Sequence, residues 1–353
     1  MLFKITDANA GPNAQVKHTE FKTFYPAINR NMEWCTIEPF VQQAEDSDII
    51  PAIGLAFYTE LDDEYQTDGT IADATKAYTF RLLRTALAHY AIYLALPQLN
   101  IRVGDAGTNE TTASDITPVR QWVFNISRWE VAKTAYRYLD MALAHMESQV
   151  IALNPDYDTF LNSEAYTESK ELLIPNARKF QRFYNLQTSR RAYTTLRPYI
   201  RKAEAIYLKP MLCTFFDELK TQHTTNTLTA ENASILPLVQ QLLAEYTVIL
   251  ALPDLNFVND GDGWRVMENQ YGMNESSNLK ASMQQMHTRA EQNAAAYEIL
   301  LKNELYATLD DYPTYRDSPC NELTQDTDGD GITDAEEAAC NGDEYQEYGA
   351  VIL

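Results

Sequence analysis

Apolar residues recur at the three- and four-residue spacing of an amphipathic helix in two matching stretches of the chain. They are Leu82, Leu83, Ala86, Tyr90, Tyr93 and Leu94 in the first stretch and Leu238, Leu242, Tyr246, Ile249 and Leu250 in the second. Each stretch leads to a proline, Pro97 or Pro253. Because the residue before a proline is pushed out of the helical region, the pattern predicts two equivalent long helices that end at these prolines.

A second pair of long helices is predicted over about 118–147 and about 276–309. The first of them carries an apolar stripe, which we interpret as a core face because partner-binding stripes are rarer. Its members are Trp122, Ile126, Trp129, Tyr136, Leu139, Leu143 and Met146. Between the long helices, 100–107 and 256–266 combine extended and turn-forming residues. This composition predicts a short β-hairpin or extended loop in each copy.

The two halves of the chain are copies of one another. Segment 88–100 and segment 244–256 are identical at eight of thirteen positions, and 36–45 and 21–25 match 195–204 and 180–184 in the same order. Matches that keep their order indicate tandem duplication. We expect a mainly α fold with helical repeats at 1–155 and 171–312, a linker at 156–170 and an acidic tail at 313–353.

Composition limits the classes of partner. The chain has 353 residues, 45% of them hydrophobic, and a formal net charge of -22. A surface of this sign does not grip nucleic-acid phosphates. The sequence has no run of 18 apolar residues and no secretory pattern at its start, so we expect a protein made in the cytoplasm and not inserted in a membrane.

The acidic tail contains a complete twelve-residue calcium-loop pattern. Segment 310–347 has thirteen carboxylates against one base, and 326–337 places oxygen ligands at the loop spacing, with Gly331 at the sharp turn. The predicted ligands of a structural Ca²⁺ are Asp326, Asp328, Asp330, Ile332 through its carbonyl, Asp334 and Glu337. The alternative interpretation is a solvated acidic run.

Cys320 and Cys340 lie on either side of this loop. A disulfide between them would close the loop and suit an oxidising exterior, whereas synthesis in the cytosol would keep both thiols reduced. Cys35 and Cys213 lie in predicted helices, and we interpret them as buried free thiols.

The sequence contains no zinc-protease, serine-hydrolase or phosphate-loop pattern. Glu45 and Glu204 recur in both copies, as do Glu60 and Glu218, and helix-surface carboxylates are commoner than catalytic ones. A basic cluster opens the second copy and predicts a subunit interface, with intramolecular salt bridges as the alternative. The candidate interface residues are Arg190, Arg191, Arg197, Arg201 and Lys202.

Segment 189–200, followed by a long helix that ends in Leu-Ala-Leu-Pro-x-Leu-Asn at 250–256, resembles phage and prophage head-tail connector, or adaptor, proteins. Segment 94–107 carries the same resemblance, which covers 1–310 but not the acidic tail. It rests on packing and turn residues, not on a chemical motif.

The resemblance implies a non-enzymatic, structural virion protein that is assembled in the host cytoplasm. Such a protein forms a homo-oligomeric ring, usually a dodecamer, at the head-tail interface. The ring contacts the portal protein above and tail or further connector proteins below. Genomic DNA passes through its lumen without sequence-specific binding, and no membrane is involved. The alternative is a calcium-stabilised bacterial surface or adhesion module.

Overall fold

The computed structural model describes residues 1–4, 14–29, 31–99, 101–104, 107–110, 120–186, 189–255, 257–260, 263–266 and 277–321. The chain forms two compact units. Unit 1 is Met1–Glu168 with Ser189–Arg191, and unit 2 is Ser169–Thr188 with Ala192–Leu353. Both units are mainly helical, so the prediction of two tandem helical domains is confirmed.

The first copy is built from short helices followed by two long ones. The described helices up to residue 170 are α1 Phe21–Phe24, α2 Trp34–Ala44, α3 Ile50–Ile53, α4 Leu55–Asp68, α5 Ala74–Leu99, α6 Gln121–Ile151, α7 Asp158–Leu161 and α8 Glu164–Lys170. A π-helical segment, Glu45–Ile49, joins α2 to α3.

The second copy repeats this order. Its described helices are α9 Ala177–Phe180, α10 Arg190–Ala203, α11 Lys209–Leu212, α12 Thr214–Thr225, α13 Ala230–Ala251, α14 Ser277–Ala307 and α15 Pro313–Arg316. The π-helical segment recurs as Glu204–Leu208, between α10 and α11. Because both copies contain it at the same place, this widened turn belongs to the fold and is not a local irregularity.

Each unit also has a two-stranded antiparallel hairpin between its long helices. In the first, β1 Ile101–Gly104 pairs with β2 Gly107–Glu110. In the second, β3 Phe257–Asp260 pairs with β4 Gly263–Val266. The chain order α5–β1–β2–α6 places the hairpin at the end of the helix pair where α5 ends and α6 begins.

The core of each unit lies along its pair of long helices. In unit 1, Leu83 and Leu87 of α5 and Ala135 and Met146 of α6 are fully buried. Each fully buried large apolar side chain contributes about 1.5–3 kcal/mol of transfer free energy. Small alanines at the contact let the helices approach closely, which explains why the stripe of α6 alternates small and large residues.

The same core recurs in unit 2 at a fixed spacing. Counterparts on α6 and α14 are Ala135 and Ala290, Leu139 and Ala294, Met146 and Leu301, and Val150 and Leu305, all buried and all 155 residues apart. The stripe prediction holds for this half of α6. It is wrong for the first turns, where Trp122 is 61% and Ile126 is 55% exposed.

The predicted linker is wrong. Tyr157 and Phe160 are buried in the core of unit 1, where Tyr157 stacks on Phe57 at a ring distance of 5.6 Å. The predicted start of the tail is wrong for the same reason, because Tyr312 and Tyr315 are buried in the core of unit 2. Segments 156–160 and 311–315 are thus a further pair of repeats, 155 residues apart, that closes each unit.

One of the two predicted helix ends is also wrong. α13 ends at Ala251, before Pro253, but α5 continues through Pro97 to Leu99. A proline in the last turn of a helix removes only one backbone donor, which explains why α5 tolerates it.

By length and composition, α13 could cross a membrane, but more than half of its most apolar stretch is buried. A buried core helix passes the same test of length and composition. The place of α13 in the core of unit 2 therefore accounts for its apolar character.

Candidate functional site

The candidate interface arginine that opens α10 is buried. Arg190 is 8% exposed, and its guanidinium donates two hydrogen bonds to Glu147, from Nε to Oε1 at 3.0 Å and from Nη2 to Oε2 at 2.6 Å. Its backbone N–H donates to Oδ1 of Asp140 at 2.7 Å. A bidentate, half-buried pair of this kind fixes the start of α10. Arg190 is therefore not an exposed interface residue, and the intramolecular alternative applies to it.

Asp140, which accepts the backbone N–H of Arg190, has a raised pKa. Burial raises its pKa to about 6, against the lowering effect of the Arg190 N–H and the nearby guanidinium groups. The neighbouring carboxylate of Glu147 adds to the increase. Asp140 is thus a titratable group at the point where α10 begins.

The other basic residues of α10 differ in exposure. The Arg191 guanidinium lies 4.3 Å from the ring centre of Tyr136. Arg197 donates to Ser169 Oγ at 3.2 Å and is half-buried. Arg201 and Lys202 are exposed, and Arg201 forms a long, exposed ion pair with Glu171, at 3.9 Å. The exposed basic residues of α10 are therefore Arg191 in its first turn and Arg201 and Lys202 at its C-terminal end.

We call the exposed end of α10, with the turns that follow, the basic face. Its members are Arg201, Lys202, Ile206 and Lys209. Ile206 is apolar yet 48% exposed, and Lys209 is exposed beside Asp217 at 3.1 Å. Exposed pairs of this type add little stability, so these cations remain available to a partner.

The first pair of recurring glutamates has a structural role. Glu45 is buried and accepts the backbone N–H of Leu2 at 2.7 Å, and Glu204 is buried and accepts that of Leu173 at 2.8 Å. Each glutamate begins a π-helical segment and holds an apolar segment of its own unit. Burial raises the pKa of Glu45, while the Leu2 N–H opposes the increase. Both residues recur because an equivalent apolar segment is held in both copies.

The second pair is also engaged in structure. Glu60 pairs with the buried ammonium of Lys76. Glu218 accepts from Asn232 Nδ2 at 3.1 Å and from the hydroxyl of Thr314. Asn232 replaces Lys76 at the equivalent position of the next helix, 156 residues on. Each glutamate therefore joins two helices of its own unit.

The structure corrects the cysteine assignments. Cys320 forms a disulfide with Cys213, with a Cα–Cα distance of 5.8 Å, so the predicted Cys320–Cys340 bridge is wrong. Cys213 is consequently not a free thiol, and Cys35 is free but exposed. The bridge joins the turn between α11 and α12 to the residues after α15.

In unit 1 the equivalent turn, between α3 and α4, has no cysteine and packs against the closing segment through a glycine. Gly54, the counterpart of Cys213, has a φ of 84°, and a Cβ built there would lie 2.7 Å from Cβ of Ser163. Cys213 keeps the positive φ, at 48°. The turn before the fourth helix of each copy is thus held to the end of its unit in two ways, by close packing of Gly54 on Ser163 in unit 1 and by the Cys213–Cys320 bond in unit 2. In the sequence, both cysteines of the bridge replace non-cysteine residues of the first copy, Gly54 and Ala165.

The predicted calcium ligands, Asp326 to Glu337, lie outside the described residues, as does Cys340. In the part of the chain that is described, no group of three or more His, Cys, Asp or Glu side chains is placed to hold a metal ion. The calcium loop stays a prediction.

Comparison with known sequences gives a family and no activity. The profile of a family of unknown function, DUF6712, matches residues 49–170 and again 208–325, which is more than half of the chain. The chain belongs to the DUF6712 family. The two DUF6712 matches begin at Ile49 and Leu208, the last residues of the two π-helical segments. Both matches include the segments that close the units, 156–160 and 311–315, so these segments belong to the family domain. No curated protein and no solved structure shows a significant match.

Proposed function

We propose that this chain is a structural virion protein that forms a ring at the head-tail junction. The ring lies beneath the portal, continues the DNA channel and provides a docking surface for the tail. The observation that carries the proposal is the resemblance of 189–200 and 250–256 to connector proteins, on a tandem helical unit whose long helices are joined by a hairpin. Hairpins at the end of a helix pair are suited to contacts between ring subunits.

The charge distribution supports passage of DNA without retention. The net charge is -22, and a negative lumen repels phosphates instead of binding them. The basic residues are concentrated in one segment of unit 2, where they are suited to a protein partner. A closed ring requires a heterologous contact, in which one face of a subunit meets a different face of the next.

The recurring carboxylates support a non-enzymatic function. Glu45 and Glu204 hold backbone N–H groups, and Glu60 and Glu218 join helices. Their recurrence in both copies thus follows from the fold. No reaction has to be invoked to explain it.

The acidic tail is proposed to bind one structural Ca²⁺. Carboxylate and carbonyl oxygens at positions 1, 3, 5, 7, 9 and 12 of 326–337 match the ligands this cation takes. The Cys213–Cys320 bridge anchors the chain six residues before Asp326. The bridge and the metal loop would together give the tail a fixed base.

A second candidate, a calcium-stabilised bacterial surface or adhesion module, is favoured by the disulfide. Disulfides persist in exterior compartments and are rare in the cytosol. This candidate predicts an exported protein that functions as a monomer. A virion that leaves the cell also meets oxidising conditions, so the bridge is compatible with both candidates.

Electron microscopy of the purified protein with and without purified portal separates the two. The connector proposal predicts closed rings with an open centre, alone or on the portal, and co-purification with the portal. Monomers that bind neither each other nor the portal, in calcium, would refute it and favour the surface module.

A further inference from the structure

The duplication provides an internal comparison of surface charge. Segment 34–68 of unit 1, which covers α2 to α4, contains nine carboxylates and no Lys or Arg. The equivalent segment 193–226 of unit 2, which runs from α10 to the end of α12, contains five Lys or Arg and three carboxylates. The same three-helix surface is therefore acidic in one copy and basic in the other.

The fold does not require this difference. Both segments place apolar residues of matching position in their cores, among them Ile37 and Leu196, Val41 and Ile200, and Leu61 and Leu219. Both use a buried glutamate to hold a backbone N–H. Since the interior contacts are shared, the core does not account for the difference in exposed charge.

The basic face is specific to unit 2. Its residues Arg201, Lys202, Ile206 and Lys209 replace Gln42, Gln43, Ser47 and Ile50 of unit 1, each 159 residues earlier. Lys202 precedes the exposed Ile206 by four residues and Lys209 follows it by three, spacings that place side chains on one side of a helix. An apolar centre within a polar rim is the usual composition of a protein interface. A phosphate-binding surface has no need of the isoleucine.

The matching surface lies on unit 1. We call Asp46, Leu55 and Asp63 the acidic face; all three are exposed, and Leu55 is 64% exposed. In unit 2 the first residue of α12 is Thr214, and Ala205 and Thr221 stand where unit 1 has Asp46 and Asp63. Each face thus combines like charges with one exposed aliphatic side chain that the other unit lacks.

We infer that the basic face of unit 2 docks on the acidic face of unit 1 of a second copy of the chain. Two basic faces repel each other, as do two acidic faces, so a symmetric face-to-face dimer is disfavoured. The contact joins unlike faces, and repetition of such a contact closes a ring or extends a filament. The inference rests on the proposed ring function and names the surfaces that form it.

The test uses two charge-reversed variants of the full chain. The first is Arg201→Glu with Lys202→Glu, and the second is Asp46→Lys with Asp63→Lys. Each variant alone presents faces of equal sign, so its self-association weakens at least about tenfold. In an equimolar mixture, each reversed face meets a reversed partner and each native face a native one, so association returns with the two variants alternating.

Two control variants change the net charge equally at exposed residues outside both faces. They are Arg81→Glu with Arg137→Glu, and Glu130→Lys with Glu164→Lys. The measurement is the mass distribution by sedimentation velocity at low and high salt, with circular dichroism to confirm folding. The controls are expected to assemble as the wild type does, and salt is expected to weaken the wild-type assembly.

The outcomes separate the inference from the proposed function. Reversed variants that assemble as the wild type does, or a mixture that does not recover, overturn the interface and leave the ring proposal standing. A wild-type chain that stays monomeric at high concentration, low salt and in the presence of portal overturns both. A basic-face variant that assembles normally but loses affinity for a short DNA duplex would assign the face to DNA and overturn the inference.

Discussion

Removing the disulfide of unit 2 tests how much the Cys213–Cys320 bridge contributes to the stability of that unit. Cys320→Ala copies Ala165, its counterpart in unit 1, and breaks a bridge that spans 107 residues. The loop-entropy relation gives about 4.7 kcal/mol for a loop of about this length. We therefore expect unit 2 to lose about 4–5 kcal/mol of unfolding free energy in the oxidised protein.

The assay is guanidinium unfolding followed by circular dichroism, with and without reductant. At a slope of about 4 kcal/mol per molar, this loss lowers the midpoint of the unit 2 transition by about 1 M. Adding Cys213→Gly restores about 1 kcal/mol, because glycine accepts the positive φ of 48° at that residue. Cys35→Ala, at the exposed free thiol, is the control and leaves the midpoint unchanged.

Equal stability of Cys320→Ala and wild type in oxidising buffer would refute this reasoning. So would a wild-type midpoint that does not respond to reductant. Either result would mean that Cys213 and Cys320 are not bridged, or that the contacts of the closing segment suffice, as they do around Ser163 in unit 1.

Three further predictions concern a glycine, an aspartate and the tail. Gly54→Ala is expected to lower the unfolding free energy of unit 1 by about 2–4 kcal/mol, because the φ of Gly54 is 84° and the new Cβ would meet Ser163. Gly69→Ala, also at positive φ but with open space around it, is the control and costs only about 1 kcal/mol. Equal losses in thermal unfolding would contradict the steric argument. Burial raises the pKa of Asp140 in the folded chain to about 6, so the native state holds the proton more tightly than the unfolded state does. The free energy of unfolding therefore falls as pH rises from about 4 to about 6. Asp140→Asn should flatten this slope in unfolding titrations, and an unchanged slope would assign the pH dependence to other groups. Calorimetry should detect one Ca²⁺ per chain, lost in Asp328→Ala with Glu337→Ala but kept in Asp317→Ala; binding that survives the first pair would refute the loop.

The features of the fold that could be predicted from the sequence are those that repeat between the copies or follow a periodic pattern. The long helices and the tandem organisation follow from apolar spacing and from the matches between copies, because core positions are constrained in both. Two errors came from composition. Polar neighbours concealed Tyr157 and Phe160, which are buried, and the position of Arg190 in a basic run concealed its burial against Glu147.

The disulfide could not be predicted from spacing along the chain. Cys320 is near Cys340 in sequence, but the fold brings it to Cys213, because the closing segment returns to the turn before α12. Pairing depends on three-dimensional proximity, which sequence separation does not give. The charge difference between the copies is visible in the sequence, but only the structure identifies which of the charges are exposed.

The mass of the purified full-length chain by native mass spectrometry tests the central claim most directly. The measurement is made at low salt, in calcium and in chelator, with and without purified portal. The account predicts a closed cyclic oligomer of one defined copy number, formed alone or on addition of portal. A calcium-bound monomer that shows no tendency to assemble under any of these conditions would contradict it.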